Sequence, residues 1–350
     1  RMRELLNMEN NFEKQLIKVL NEEKEIPSTV RISLDTTYDR IRAISKKKNK
    51  AGWKIAVAVC CVIISGVMVT NKSVRADIKS FFNFSDKGVE RAVNKGFVNE
   101  NSSSALNKGV KVTLDSYFVD SNKMGLSFKL KFDDSKILKE KVDRISLDYR
   151  IKNGNGDYIA EIIPDTKPLK GKSQYISSLS DKNSELNLTN NEVQYDVILE
   201  SISGSIPKLE NAVVEVEAVK IFYKSSKNFK SIDGRWDLKL SGGKSDTVNS
   251  VEYKVESNKS EIEIISAKSR PTSFNVTFAV DEKYKDGDTF DGKNMKLVDE
   301  EGKEYLSNGY SIDLKDNKII ISTNFPLSSY ENVNKFKLVI ASIGEVEFVK

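Results

Sequence analysis

Leu126-Ser127-Phe128-Lys129-Leu130-Lys131-Phe132 puts an apolar side chain at every second position and a polar one between. Successive side chains of a strand point to opposite faces, so this run predicts a half-buried β-strand with the four apolar residues on its core side. The same period of two recurs on both sides of it. Ile145, Leu147, Tyr149 and Ile151 alternate in this way, as do Val193, Tyr195, Val197 and Leu199, and it continues through Val214–Tyr223 and Trp236–Leu240. Asn153-Gly154-Asn155-Gly156 supplies a hairpin turn between two such runs. These strands predict one antiparallel sandwich over 108–242.

Gly242-Gly243-Lys244-Ser245 is a small, polar joint, after which the pattern resumes with Val251–Val255. Phe274, Val276, Phe278 and Val280 alternate, followed by Ile319 with Ile321 and by Phe336, Leu338 and Ile340. Asp299-Glu300-Glu301-Gly302 marks another hairpin. A second β-sandwich over 246–350 follows, related to the first in period only, since no sequence repeat joins them.

Ahead of the β region lies a segment of different character. From Ile55 to Val69 no side chain is charged, and the apolar residues cover every helix face rather than a stripe. With Ala51–Thr70 taken as the window, Lys54 can extend its stem toward the headgroups and Trp53 suits the interface. The segment therefore predicts one membrane-spanning helix over 51–70. About fifty residues precede it, too many for the short basic leader of a secretory signal peptide. Seven Lys or Arg lie between Arg40 and Lys54, against three between Asn71 and Asp86. The cation-rich side stays in the cytoplasm, which leaves the β region outside the cell. Phe81, Phe82 and Phe84 are expected near the outer membrane interface. Asp86 to Gly96 then predicts a short helix closed by Gly96, and Asn99 to Gly109 a linker or long turn, so 71–107 is expected to be a juxtamembrane helix and linker.

Inside the membrane, two amphipathic stripes are expected over 1–50. Leu5, Met8, Phe12, Leu16 and Val19 form the first, and Val30, Leu34, Tyr38 and Ile41 the second, divided by Pro27-Ser28. A hairpin of two short helices buries little core by itself, so these nine residues are the expected partner-binding surface. The expected fold class is thus mainly β: a short cytoplasmic helical hairpin, one transmembrane helix and two extracellular antiparallel β-sandwich (Ig-like) domains.

Composition narrows the chemistry. Residues 1–54 carry thirteen Lys or Arg and eight Asp or Glu, which accounts for the whole net charge of +5. The remainder is balanced, and a neutral outer body gives no electrostatic ground for direct nucleic-acid binding. The chain has no histidine, and both cysteines, Cys60 and Cys61, lie within the apolar run. Ser-His, Cys-His and zinc chemistry are therefore excluded, and no cofactor or metal is expected. Asp286-Gly287-Asp288-Thr289-Phe290 resembles a calcium loop until its fifth position, which is Phe290, and its twelfth, which is Leu297. Gly242–Ser245 resembles the end of a phosphate loop but lacks the upstream glycine and the βαβ setting. The reading is a binding protein, not an enzyme.

The order of parts resembles a membrane-anchored anti-sigma-factor-like family of low-GC Gram-positive bacteria. The resemblance is carried by Pro27-Ser28-Thr29-Val30, by Asp86–Phe97, and by Gly109–Leu114 with Val119-Asp120 ahead of Met124–Phe132. Gly234-Arg235-Trp236 and Val298–Tyr305 also take part. It implies a single-pass cell-membrane regulator, with cytoplasmic helices binding an extracytoplasmic-function sigma factor and an ectodomain sensing the cell envelope. The expected partners are a sigma factor, membrane lipid and a cell-wall ligand. Zinc-binding anti-sigma domains carry a His and two Cys, which residues 1–54 lack, so the grip here would be metal-free and hydrophobic. The alternative is a surface-anchored binding or structural envelope protein without sigma-factor regulation.

Overall fold

In the computed structural model the described residues are 82, 84–139, 142–172, 174–184, 189–224, 229–240, 250–285, 288–290, 292–307, 309–331 and 333–350. The run that opens the sequence reading becomes β3 (Lys123–Phe132), and Leu126, Phe128, Leu130 and Phe132 are all buried. It pairs antiparallel with β2 (Val110–Val119) and with β7 (Glu192–Glu200). The sheet is completed by β1 (Asn99–Asn107) beside β2 and β6 (Ser178–Asn183) beside β7. A second sheet runs β5 (Tyr158–Ile162), β4 (Val142–Lys152), β8 (Val213–Tyr223), β9 (Phe229–Lys239). A single turn of helix, α2 (Lys136–Lys139), joins β3 to β4. The inner faces of both sheets meet in one apolar core that includes Phe128, Tyr149, Tyr195 and Trp236.

The C-terminal half repeats this plan with one more strand. One sheet runs β10 (Val251–Glu252), β12 (Glu263–Ser269), β13 (Phe274–Asp281), β17 (Lys318–Phe325), β16 (Tyr310–Lys315). The other runs β11 (Lys254–Asn258), β19 (Gly344–Val349), β18 (Lys335–Ile340), β14 (Met295–Asp299), β15 (Glu304–Leu306). The shared core is β2-β3-β7-β6 facing β5-β4-β8-β9 in the first half and β12-β13-β17-β16 facing β15-β14-β18-β19 in the second. The shared architecture has no counterpart in sequence identity. Alternating apolar patterns of the same length are enough to specify it.

Two features depart from the sequence reading. Asn99–Asn107, expected as a linker, is a strand, so the first sandwich begins at residue 99 rather than 108. Its polar side chains have a use: Asn101 Nδ2 donates to Lys239 O at 2.9 Å and Asn107 Nδ2 to Arg235 O at 3.1 Å, while Lys239 N donates to Ser103 Oγ. These bonds satisfy the open edge of β9 from the facing sheet. The second departure is Val251–Val255, which reads as one strand but divides at Tyr253. Its first half joins one sheet and its second half the other. Tyr253 sits at the crossing with its ring 4.7 Å from Phe336, and its hydroxyl donates to Val333 O at 2.8 Å.

Trp236 closes the first core. It is fully buried, and its indole Nε1 donates to Val110 O at 2.8 Å, tying β9 to β2 across the sandwich. Trp236→Phe keeps an aromatic ring but leaves that carbonyl buried without its donor. A loss of about 1–3 kcal/mol in urea unfolding is the expected outcome.

No helix among the described residues is long and apolar enough to cross a membrane, and the 51–70 segment lies outside those residues.

Candidate functional site

The site is built around α1 (Lys87–Asn94), the first helix of the described chain. Asp86 caps it, accepting from Gly88 N at 3.0 Å and Val89 N at 3.1 Å, which satisfies two of the four free N–H groups of the first turn. Gly96 follows the last turn with φ +82°, the left-handed geometry a helix end needs and glycine adopts without strain. Eight residues are too few for a stable isolated helix. Burial therefore holds it, through Val89, Ala92 and Val93 at the i, i+3, i+4 spacing.

Those three residues do not enter either sandwich core. With Phe82, Phe97, Phe118 and Ile198 they form a third apolar cluster on the outer face of the β2–β3–β7 sheet. Across that face Phe118, Gly125 and Ile198 lie side by side in register. Gly125 is required there, because a Cβ would stand 2.2 Å from the Phe118 ring. The other side of α1 meets the second sandwich. A Cβ on Gly88 would lie 2.0 Å from Thr272 O, and Arg91 Nε lies 3.9 Å from Glu331 Oε1. The helix is a wedge seated between the two halves.

Beneath the wedge the sandwiches meet through buried polar groups. Asp120, in the β2–β3 turn, accepts from Asn122 N and Lys123 N of its own turn, and from Thr272 N (2.9 Å) and Thr272 Oγ1 (2.7 Å) across the junction. Asn122 Nδ2 donates to Ser273 Oγ at 2.8 Å. Asn275 Nδ2 donates to Ile202 O at 2.8 Å, and Asn324 Nδ2 to Ser201 O at 3.0 Å. Lys123, 2% exposed, bonds the capping carboxylate of Asp86 and lies 3.7 Å from Glu200 Oε1. One ammonium thus joins the helix cap to β7.

Burial alone would pull the Lys123 ammonium down, but Asp86 and Glu200 outweigh it and hold the group above its ordinary value. Burial raises the Asp120 carboxyl above its ordinary value, with the bonds from Thr272, Lys123 and Asn122 acting in the opposite sense. Asp120, Asn122, Lys123, Asn275 and Asn324 each have at least one polar partner. The arrangement ties the helix cap, the β2–β3 turn and the second sandwich together.

The chain entering the wedge is also fixed. Phe82 was expected at the membrane interface; instead it is 2% exposed, with its ring edge-on to Phe118 at 4.9 Å. Its backbone N–H donates to the buried carboxylate of Asp196 on β7. Phe82 and Ser85 hold φ of +58° and +62°, a region that bulky residues occupy only when their surroundings impose it.

A separate cleft of roughly 480 Å³ opens on the first sandwich, lined in part by Lys152, Asn211, Glu215, Arg235, Asp237 and Lys239. Charged side chains of both signs line it, between walls whose exposed surface is more apolar than polar. On the outer face of the same sheet, buried Arg150 pairs with Glu161 and Glu217, and Glu161 accepts from Lys170 N and Gly171 N, fastening the loop after β5.

The sequence-derived contact residues Leu5, Met8, Phe12, Leu16, Val19, Val30, Leu34, Tyr38 and Ile41 lie outside the described residues. The junction residues were not anticipated as such. Asp120 enters the sequence reading only through the family resemblance, Asn122 and Lys123 not at all, and nothing in one sequence says that a second module covers the turn. Of the calcium-like turn, Asp286, Gly287 and Asp291 lie outside the described residues; Phe290 is buried against Phe278 at 6.3 Å, so its position points into the core. Among the described residues no cluster of His, Cys, Asp and Glu is placed to hold a metal ion.

Comparison with known proteins bears on the same segment. Residues 45–132 match the family model described as a domain of unknown function, DUF4179. The matched range takes in the apolar run, α1 and the first three strands, and it stops at Phe132 in mid-sandwich. The conserved domain protein from Bacillus anthracis, known from a crystal structure, is similar at 19% identity over 70% of this chain and 77% of that one, with a TM-score of 0.43. No curated protein matches.

Proposed function

We propose that the chain is a single-pass membrane regulator of the anti-sigma-factor type, whose outer sandwiches sense the cell envelope and whose inner helices hold a sigma factor. The observation that supports this reading is the placement of α1. Twelve residue steps separate Thr70, at the end of the apolar run, from Phe82, and a fully extended chain of that length spans at most about 40 Å. Among the described residues, the first helix after the apolar run is the wedge between the sandwiches. Any ligand that changes how the two sandwiches meet acts directly on the chain that leads to the membrane. The mixed-charge cleft on the first sandwich offers a place for a polar cell-wall ligand. The family match also spans the apolar run and the wedge together, as expected if they act as a unit.

On the inner side the proposed grip uses Leu5, Met8, Phe12, Leu16 and Val19 with Val30, Leu34, Tyr38 and Ile41. Affinity capture with residues 1–50 is expected to recover an RNA polymerase sigma subunit, and Leu16→Asp or Leu34→Asp should abolish recovery, since a buried unpaired carboxylate costs several kcal/mol at an apolar contact. Capture of no sigma subunit, or capture indifferent to both substitutions, favours a surface-anchored envelope protein instead.

A further inference from the structure

We propose that the chain self-associates by antiparallel pairing of β16 with β16 of a second copy, centred on Ile312. The starting point is how the sheet edges are treated. β9 is capped by side chains of β1, and β5 is overlain by the loop that Glu161 fastens. β10 and β15 are two and three residues long, β11 carries Lys254 and Glu256, and β6 carries Asp181 and Lys182. Short length and charge are the usual protections of an edge. β16 carries Asp313 and Lys315 on its outer face, but its other face is a row of three exposed apolar side chains. It is six residues long, exposed throughout, and carries Tyr310, Ile312 and Leu314 at 36%, 46% and 48% exposure.

These three side chains are on the core side of their sheet. They pair with Thr323, Ile321 and Ile319, each fully buried, yet they overhang the open flank of the sandwich. The hairpin fixes which backbone groups are free. Asp316 and Asn317 have φ of +53° and +61°, a two-residue turn of the I′ type, so Lys315 and Lys318 flank it as a hydrogen-bonded pair. By alternation Asp313 and Ser311 also bond to β17, and the N–H and C=O groups of Tyr310, Ile312 and Leu314 point off the sheet. The Leu314 N–H accordingly turns to the Asp313 carboxylate at 2.9 Å rather than to a neighbouring strand.

A second copy fits this edge in one register. With Ile312 opposite Ile312, Tyr310 faces Leu314 and the apolar sides of both sheets stay continuous; a slip of one residue would put them on opposite faces. The Ile312 pair exchanges two N–H···O bonds, and the Tyr310–Leu314 pairs do so once the Leu314 N–H leaves the Asp313 carboxylate. On the other face Asp313 meets Ser311, and Lys315 meets Gly309, so no like charges stand directly opposed. The register matches apolar side chains, free backbone groups and charges together, which is what self-recognition requires and what an unrelated strand would match only in part.

The test uses the full chain with Cys60→Ser and Cys61→Ser, which removes every native thiol. Ile312→Cys places two thiols across the two-fold at a Cα separation of about 5.5 Å, whereas Lys315→Cys places them about 20 Å apart, six residues out of register. A short bis-methanethiosulfonate cross-linker should convert Ile312→Cys to a covalent dimer and leave Lys315→Cys monomeric. Ile312→Lys, at an exposed position that does not threaten folding, should shift the sedimentation profile of the chain to monomer. Absence of an Ile312→Cys dimer, equal cross-linking of both variants, or a monomeric parent chain overturns the proposal.

Discussion

Gly88→Ala is expected to destabilise the junction by about 2 kcal/mol net, although helix propensity alone would favour alanine by about 1 kcal/mol in the interior of an exposed helix. The reversal of sign comes from the second sandwich. The added methyl would stand 2.0 Å from Thr272 O and 3.0 Å from Thr272 C, both backbone atoms. Thr272 has little freedom to withdraw, because its N–H and hydroxyl are both bound to Asp120. Overpacking of this kind typically costs 1–3 kcal/mol, and the tethering of Thr272 places the site at the upper end of that range. Urea unfolding of the variant should show a lower midpoint. A midpoint at or above that of the parent chain would mean that α1 does not touch the second sandwich.

Lys123→Ala should cost about 3–5 kcal/mol, the largest single effect at the junction. Lys123 is the cation shared by Asp86 and Glu200, and its removal leaves two carboxylates facing each other with little access to water. It also frees the helix cap from β7. Lys123→Met with Asp86→Asn and Glu200→Gln removes the charges together and should recover part of the loss. The pH dependence has a definite sign. The folded ammonium sits above its ordinary value of 10.5, so the pair stabilises fully below pH 10.5 and loses its contribution as pH rises through the folded value. The stability gap between the parent chain and Lys123→Met should therefore be constant from neutral pH to about pH 10 and shrink beyond it. A gap that widens with rising pH would contradict the assignment.

The β architecture was legible because a strand with one wet face writes its burial into every second residue. Leu126 to Phe132, Ile145 to Ile151 and Phe274 to Val280 all kept the face that their spacing assigned. β1 was missed for a reason of the same kind. Asn99–Asn107 carries serine and asparagine where a core-facing strand carries apolar residues, since its side chains bind the edge of β9 instead of filling a core. The junction failed for a different reason. At the start of β3, Lys123, Gly125 and Ser127 occupy the positions that alternation assigns to solvent, and all three are buried. Lys123 is tied to the Asp86 cap, Gly125 lies under the Phe118 ring and Ser127 bonds Asp196, and no local pattern within β3 records these partners. A lysine that seals an interface and a lysine that faces water have the same letter. Phe82 shows the converse: an aromatic near an apolar run suits a membrane interface, but here it completes the cluster under the wedge.

The wedge itself is open to one direct measurement, amide hydrogen exchange at Val89–Val93 in the full chain. An eight-residue helix held only by its own hydrogen bonds exchanges almost as fast as an unfolded peptide. Locked between two sandwiches, these amides should exchange about a thousandfold more slowly, an opening free energy of ~4 kcal/mol, and Gly88→Ala should remove most of that protection. Exchange of Val89–Val93 at the unprotected rate in the parent chain would contradict the account.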